Sequence, residues 1–270
     1  MEKIIRTRLD VGLAAPVRIL QMTDVHLVEY AADDDPEQIE HLKKRRLVFE
    51  KEGGFPPHTQ NEYFEEGFRI AGAEGALPVV TGDVMDVLSS GNLAEFHRIT
   101  DGKDFMFCPG SHEFAKFCRT PGPDYPEWYR GARQRVAASF PDLDLTFSSR
   151  TVGGVNVVVL DNSQDYFTAE VLERLRAEEQ KGLPMVIFMH EPLHDHGLLR
   201  VRPMNVCMGR TPQELLVSDT VLGFLARCPL VVAAFAGHWH GEAEAVAPCG
   251  VRTFVTPGLF KGICRLIEIV

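Results

Sequence analysis

Runs of apolar residues recur along the chain, separated by turn residues and by segments with helical periodicity. Several of these runs lack the polar alternation of a half-exposed strand, which is typical of strands covered on both faces. On this basis the pattern predicts buried strands at residues 17–23, 77–81, 105–108, 155–160, 185–189, 230–236, 251–256 and 263–270.

Two segments between the predicted strands carry clear helical signals. One begins at Thr211, where a Thr N-cap, Pro212 at the first helical position and Glu214 form a capping box. The other spans residues 168–181, where Glu170 precedes Arg174 by four residues, a spacing that favours an ion pair on a helix. Strands that alternate with helices in this way predict a layered α/β domain.

The segment at residues 29–67 interrupts this alternation. It contains an acidic turn at residues 33–35, a basic cluster at residues 43–46, and Gly-Gly and Pro-Pro pairs. We expect it to be an insertion or flap within a single domain that spans residues 1–270. Two interpretations of the basic cluster stay open: a solvated helix face, or a cationic rim that attracts an anionic substrate.

Composition and charge narrow the function without identifying it. The 270 residues are 45% hydrophobic and 24% charged, which is typical of a folded globular protein and excludes a disordered or collagen-like chain. The formal net charge is −10, whereas a broad nucleic-acid-binding surface needs a positive charge, so we do not expect long nucleic acid as a partner. The sequence contains no coiled-coil heptad repeat and leaves the oligomeric state unknown.

Other features of the sequence bear on its compartment. No stretch reaches the roughly 18 apolar residues of a membrane span, so we expect no membrane partner. Residues 1–6 include Glu2 and no apolar run, so we expect no secretory signal. The six cysteines are scattered without a C-x-x-C pair, which argues against a disulfide framework or a zinc ribbon. We therefore expect a cytoplasmic protein.

Metal-binding side chains follow five of the predicted strands at the point where each strand ends. They are Asp24, His26, Asp83, His112, His190, His238 and His240. In an open α/β sheet, ligands bind beyond the carboxyl ends of the strands, so parallel neighbouring strands would bring these side chains into one crevice. The sequence therefore predicts a site rich in imidazole and carboxylate groups.

Such a concentration of titratable groups is costly without a counter-ion, because carboxylates repel each other and buried polar groups need partners. Imidazole and carboxylate ligands without thiolates suit Mn, Fe, Zn, Co or Ni and argue against a structural zinc site. More than four ligands indicate two divalent ions with a bridging carboxylate. Two ions roughly 3.5–4 Å apart can clamp an in-line displacement at phosphorus and generate hydroxide at neutral pH.

Five short motifs together resemble those of a known family. They are Asp24-x-His26, Gly82-Asp83-x-x-Asp86, Gly110-Ser111-His112-Glu113, Met189-His190-Glu191-Pro192 and Gly237-His238-x-His240. In this order they resemble the signature blocks of the calcineurin-like metallophosphoesterases, and they span residues 24–240. Each motif alone is weak evidence, whereas five in order at strand ends form a specific pattern.

The resemblance implies a four-layered α/β/β/α sandwich and a role for each motif residue. Six residues would hold the two metals: Asp24, His26 and His240 the first, His190 and His238 the second, and Asp83 both. His112 would neutralise the phosphoryl oxygens or protonate the leaving group, with Glu113 orienting it from behind. Asp86 would hold a metal ligand through a hydrogen bond.

Ser111 departs from the family pattern. The family usually has Asn at this position, with its amide oxygen on the second metal, and a serine hydroxyl is shorter and a poorer neutral ligand. The hydroxyl could bind the metal directly, act through a water molecule or leave the position open. We therefore expect a weaker or more exchangeable second metal.

The resemblance implies a metal-dependent phosphoesterase in which a metal-bridging hydroxide attacks a small phosphomonoester or phosphodiester in line, with His112 assisting the leaving group. The acidic net charge and the absence of a basic stripe argue against long nucleic acid, so we expect a small substrate such as a nucleotide or phosphorylated metabolite. One alternative is a nuclease of the same fold, whose activity on DNA would fall steeply with salt. Another is a binding scaffold that has lost catalysis, for which Ser111 is the only support.

Overall fold

The computed structural model describes residues 1–53, 59–117, 125–164, 166–193 and 212–270. Its helices and strands, in chain order, are β1 (Lys3–Leu9), β2 (Val17–Met22), α1 (Pro36–Gly53), α2 (Thr59–Glu74), β3 (Leu77–Thr81), α3 (Ser90–Thr100), β4 (Met106–Cys108), α4 (Tyr125–Ser139), β5 (Phe147–Val152), β6 (Val155–Leu160), α5 (Ala169–Glu179), β7 (Met185–Phe188), α6 (Pro212–Arg227), β8 (Val231–Ala236), β9 (Ala243–Val246), β10 (Arg252–Val255) and β11 (Ile263–Ile269). Short 3-10 helices lie at His112–Phe114 and Leu259–Lys261.

The strands form two sheets whose central strands run parallel. The first sheet has the order β1-β11-β2-β3-β4, in which β2, β3 and β4 are parallel. The second has the order β5-β6-β7-β8-β10-β9, in which β6, β7, β8 and β10 are parallel. Each sheet therefore has one edge at which the carboxyl ends of its parallel strands meet, and the loops there carry the candidate site.

Three apolar cores separate four layers. One core, which includes Phe64 and Phe96, lies between the first sheet and helices α2, α3 and α4. A second core, which includes Phe188, lies between the two sheets, and a third, which includes Val171 and Val221, lies under α5 and α6. The expected α/β/β/α sandwich is therefore confirmed. Among the described residues, no helix is long and apolar enough to cross a membrane.

All eight predicted strands are present as β2, β3, β4, β6, β7, β8, β10 and β11, with ends within one residue of those expected. The two predicted helices are present as α5 and α6, and Glu170 pairs with Arg174 at 3.1 Å. Thr211 lies outside the described residues, so its capping role stays a prediction. Three strands that the pattern did not indicate, β1, β5 and β9, lie at sheet edges.

The segment that interrupts the strand–helix alternation contains α1 and the first part of α2. Helix α2 packs on the first sheet through Phe64. The carboxylate of Asp34, in the acidic turn, accepts the first backbone N–H groups of α3 and so ties this turn to the domain. Helix α1 packs through Leu42 and Phe49 beside the loops at the carboxyl ends of the strands.

Candidate metal centre

Loops from both sheets bring the sequence-predicted site residues together. The loop after β2 carries Asp24 and His26, that after β3 carries Asp83 and Asp86, that after β4 carries His112, that after β7 carries His190, and that after β8 carries His238 and His240. Because the sheets pack face to face with their parallel strands ending on the same side, these side chains form contiguous groups of potential metal ligands.

The backbone at these positions is in an unusual conformation. Among the described residues, five that are not glycine have a positive φ, between 50° and 67°. They are Asp24, His26, Asp83, His238 and His240. The left-handed region costs an L-residue about 1 kcal/mol or more, and strain of this kind concentrates at functional sites. Every one of the five is a sequence-predicted metal ligand.

The first cluster consists of Asp24, His26 and His240. Asp24 Oδ1 lies 3.1 Å from His240 Nε2 and 3.9 Å from His26 Nε2. The two Nε2 atoms are 3.0 Å apart. Three ligand atoms therefore converge on one point, in the tight geometry that a divalent ion requires.

The second cluster consists of Asp83, His190 and His238. Asp83 Oδ2 lies 3.1 Å from His190 Nε2, and His238 Nδ1 lies 3.2 Å from the same nitrogen. Asp83 Oδ2 is also 4.0 Å from His26 Nε2 of the first cluster. This one carboxylate oxygen therefore lies between the two clusters.

The hydrogen bonds of these side chains leave some of their lone pairs available for a metal ion. Asp24 Oδ2 accepts hydrogen bonds from Thr23 Oγ1 (2.7 Å) and the His238 N–H (2.9 Å). Asp24 Oδ1 is buried and, among the described residues, accepts no well-formed hydrogen bond although His240 Nε2 is close. His190 Nδ1 donates to the carbonyl of Thr81 (2.8 Å), which directs the lone pair of the neutral ring, on Nε2, toward Asp83. A buried carboxylate oxygen without a well-formed hydrogen bond, and a ring nitrogen whose lone pair faces a carboxylate, fit a cation.

The charges of the cluster also favour a cation. Burial opposes the ionisation of Asp24, but the nearby His240 lowers the pKa of Asp24 to about 2. Burial opposes protonation of His190, but Asp83 raises the pKa of this ring to about 10. Burial and the positive charge of His190 lower the pKa of His238 to about 4. Burial opposes the ionisation of Asp83, but the nearby His190 holds the pKa of Asp83 well below its ordinary value, so both carboxylates stay anionic and would attract a cation.

His112 lies at the open side of the site. Its Nδ1 donates to the Asp86 carbonyl at 2.6 Å, and its backbone N–H donates to Asp83 Oδ1 at 2.9 Å. Its side chain is 21% exposed, whereas those of His26 and His190 are 2% and 0% exposed. His112 is therefore held by Asp83, a member of the second cluster, and by Asp86, and its side chain still reaches solvent. Ser111 immediately precedes it and is half-buried, and its role as a ligand stays a prediction.

Comparison with solved structures identifies the fold of this chain. A dimetal phosphatase from Danio rerio superposes with a TM-score of 0.54 at 15% identity, over 91% of this chain and 88% of that one. This chain has the calcineurin-like metallophosphoesterase fold. At this level of identity the similarity shows the fold alone.

Other solved structures match less closely. A 5′-nucleotidase from Candida albicans matches with a TM-score of 0.48 at 12% identity, over 96% of this chain and 47% of that one. A phosphopantetheinyl hydrolase from Mycobacterium tuberculosis matches with a TM-score of 0.42 at 14% identity, over 92% of each chain. No family model matches the sequence, and no curated protein matches it.

Within this metallophosphoesterase fold, the contacts of Glu113 differ from the expected ones, in which this residue orients His112. Its carboxylate accepts backbone N–H groups from Asp83 (2.8 Å), Val84 (2.6 Å), Met85 (3.0 Å) and Gly110 (2.6 Å). A carboxylate that accepts four backbone N–H groups holds the loop after β3, and through it Asp83. The Asp86 carbonyl orients His112 instead.

Asp86 makes the expected hydrogen bond to a sequence-predicted metal ligand, with Oδ1 3.1 Å from His26 Nδ1. A second partner was not predicted: Arg45 donates to both oxygens of Asp86, from Nε at 2.8 Å and from a terminal nitrogen at 2.9 Å. Burial raises the pKa of Asp86, but the hydrogen bonds from His26 and Arg45 outweigh it and hold this pKa well below its ordinary range. Arg45 belongs to the basic cluster at residues 43–46. The composition of that cluster does not indicate which of its residues contacts Asp86.

Other residues that the motifs did not single out also shape the site. Asn162 Oδ1 accepts the N–H groups of His190 (3.2 Å) and Glu191 (3.0 Å) and fixes the loop after β7. Phe260, in the second 3-10 helix, places its ring 5.0 Å from His240. A Cβ at Gly237 would collide with Thr23, so this motif glycine allows a close backbone approach.

Proposed function

We propose that this protein is a metal-dependent phosphoesterase that hydrolyses a small phosphomonoester or phosphodiester. The observation that carries the proposal is the position of Asp83 Oδ2, 3.1 Å from His190 Nε2 and 4.0 Å from His26 Nε2, between the two clusters. An oxygen shared by two nitrogen-rich clusters suits a pair of neighbouring divalent ions. The metallophosphoesterase fold supports the same conclusion.

Six residues would hold the two ions: Asp24, His26 and His240 the first, His190 and His238 the second, and Asp83 both. Divalent ions there would polarise the phosphoryl oxygens and lower the pKa of water, so that a nucleophile forms at neutral pH. The nitrogen and oxygen donor set suits Mn, Fe, Zn, Co or Ni. Ser111 offers the second site a weaker ligand than an amide oxygen, which makes that site the more exchangeable one.

We assign the leaving group to His112. Burial opposes its protonation, but the carboxylates of Asp83 and Asp86 outweigh burial and raise the pKa of His112. Because Nδ1 is engaged by the Asp86 carbonyl, the proton available for transfer is the one on Nε2. An imidazole that reaches solvent and is orientated in this way can donate a proton to the departing oxygen of the ester.

The charge of the chain argues against a long, highly anionic substrate. The formal net charge is −10. Two of the four basic residues at positions 43–46, Arg45 and Arg46, form ion pairs with acidic side chains. Long nucleic acid needs an extended cationic surface to displace its counter-ions. A nucleotide or phosphorylated metabolite needs only the metal cluster and a few nearby groups, so we infer a substrate of that size.

The proposal is tested by elemental analysis of the purified protein and by hydrolysis of an aryl phosphate and an aryl phosphodiester with added Mn²⁺. We expect two metal ions per chain and turnover, and the faster ester identifies a mono- or diesterase. Asp83→Asn should abolish turnover, whereas Asp142→Asn, at an exposed aspartate, should leave it unchanged.

A different set of results would overturn the proposal. No turnover at saturating Mn²⁺, together with one ion or none per chain, would make the binding scaffold the better explanation. If Ser111→Asn then restored turnover, the site would be a decayed catalytic centre. Turnover that survives both His112→Ala and Asp83→Asn would place the active site elsewhere.

A further inference from the structure

The Asp86 carboxylate connects the metal site to helix α1. It is completely buried, and it touches His26 through Oδ1 and Arg45 through both oxygens. Its own backbone carbonyl receives the Nδ1 proton of His112. One residue therefore contacts both a candidate metal ligand and the candidate acid, and its carboxylate orientation determines where His26 Nδ1 must point.

Helix α1 places two side chains on this assembly. Arg45 and Phe49 are four residues apart and so lie on one face of the helix. The Phe49 ring stacks on the His26 ring, with centroids 5.2 Å apart and an interplanar angle of 29°. The Arg45 guanidinium lies 4.7 Å from the Phe49 ring centroid. The His26 imidazole is thus held on its Nδ1 edge through Asp86 and on its face by Phe49.

The Arg45–Asp86 contact has the geometry of an orienting pair. The guanidinium uses Nε and one terminal nitrogen as a planar fork, which fixes the plane of the carboxylate as well as its distance. Asp86 is inaccessible to solvent, and the Arg45 side chain is only 24% exposed. A lysine could supply the same charge but not this planar constraint.

We propose that Arg45 is a positioning residue, which fixes the Asp86 carboxylate and thereby holds His26 Nε2 in the direction needed to bind a divalent ion. This inference rests on the proposed function, because it assigns His26 to the metal site. It differs from a role as a cationic rim, in which Arg45 would bind the substrate phosphate directly and chiefly determine KM.

The matched control is Arg46, the next residue of the same helix. Its guanidinium donates to the Val28 carbonyl at 3.0 Å and to Glu29 at 3.1 Å, away from Asp86. Arg46→Ala therefore removes the same side chain from α1 without touching the assembly around His26. Arg45→Lys keeps the charge and removes the fork, and it also covers the case in which Arg45→Ala fails to fold, as judged by circular dichroism.

Two readouts do not require catalysis. Calorimetric titration of the chelator-stripped protein with Mn²⁺ should give a Kd for the tighter site that is about 10–100-fold weaker in Arg45→Ala, the usual effect of losing a partner behind a metal ligand. Arg45→Lys should recover only part of this loss, and Arg46→Ala should bind like the wild type. In the metal-free protein, the His26 Nδ1–H resonance should persist in Arg46→Ala and be lost or shifted in Arg45→Ala.

The kinetic readout separates positioning from substrate binding. In Arg45→Ala at saturating Mn²⁺ we expect a lower kcat with KM within about twofold of the wild type. A normal Mn²⁺ affinity and His26 resonance in Arg45→Ala would overturn the inference, as would full recovery by Arg45→Lys with only KM altered. If the wild type binds Mn²⁺ but hydrolyses no phosphoester, the proposed function fails while the affinity comparison still decides the role of Arg45. If the wild type binds no Mn²⁺, the resonance decides it.

Discussion

Gly237 offers a way to perturb the first metal cluster without removing a ligand. It is buried after β8, and a Cβ there would lie well inside contact distance of Thr23 Oγ1 and Asp24 Oδ2. Neither atom is free to move. Thr23 Oγ1 is 2.9 Å from the Thr81 carbonyl, and Asp24 Oδ2 accepts from Thr23 Oγ1 at 2.7 Å and from the His238 N–H at 2.9 Å.

The cost of Gly237→Ala follows from these contacts. Overpacking a close-packed site by one methyl group costs about 1–3 kcal/mol, and a weakened hydrogen bond to a buried charged group adds about 1.5 kcal/mol. We expect the free energy of unfolding to fall by about 3 kcal/mol. For a chain of this size each kcal/mol shifts Tm by about 2–4 °C, so Tm should fall by about 6–12 °C.

The displacement should also weaken metal binding, because Asp24 Oδ1 moves with Oδ2. We expect the Mn²⁺ Kd of the first site to rise at least about tenfold. The assays are thermal unfolding of the metal-free protein and calorimetric titration with Mn²⁺. The control is Gly72→Ala, where a Cβ in helix α2 meets nothing within 4 Å and should stabilise the protein by about 0.5–1 kcal/mol.

The opposite outcome is clearly defined. If Gly237→Ala melts within about 1 °C of the wild type and binds Mn²⁺ with unchanged affinity, the backbone does not approach the carboxylate as closely as the structure has it. If it loses stability but keeps its metal affinity, Asp24 is not a ligand. Either result would refute the link between this glycine and the metal site.

Other positions respond differently to substitution. Asp83→Asn should reduce Mn²⁺ binding from two ions per chain to at most one, measured by elemental analysis, because Oδ2 lies between both clusters; two retained ions would contradict this. His112→Ala should keep both ions and lose about 10²–10⁴-fold in kcat on an aryl phosphate, and an unchanged kcat would exclude it as the acid. Asp34→Asn should cost about 1–2 kcal/mol by chemical denaturation at pH 7, because both Asp34 oxygens accept backbone N–H groups and an amide offers only one acceptor oxygen. Burial opposes ionisation of Asp34, but backbone N–H donors lower its pKa, so its contribution is present at neutral pH and is lost on acidification below about pH 4. Equal stability of Asp34→Asn and wild type at pH 7 would refute that role.

The strands that the sequence predicts and those that it misses differ in their place in the sheets. The predicted ones include every interior strand, and their apolar runs reflect burial on both faces. The missed strands β1, β5 and β9 are edge strands. In β1, Arg6 and Arg8 are exposed and alternate with buried Thr7 and Leu9, so half of the strand reads as a polar surface segment. An edge strand is stabilised by pairing with one neighbouring strand. The hydrophobic pattern of a single segment carries no information about that pairing.

The site residues divide in a similar way. The candidate metal ligands that follow apolar runs could be proposed from the sequence, because the loops after neighbouring parallel strands project from the same edge of a sheet. The roles of Arg45 and Glu113 could not, because each depends on how separate elements pack. Which of four consecutive basic residues meets Asp86 is determined by the rotation of α1 about Leu42 and Phe49. Glu113 is adjacent to His112 in sequence, yet its carboxylate lies among backbone donors of another loop.

The most direct measurement is the anomalous difference density of a crystal soaked in Mn²⁺ and measured near the manganese edge. Two peaks about 3.5–4 Å apart are expected, one beside Asp24, His26 and His240, the other beside His190 and His238, with Asp83 between them. A single peak, or peaks at any other group of side chains, would contradict the assignment of a dinuclear centre at the carboxyl ends of these strands.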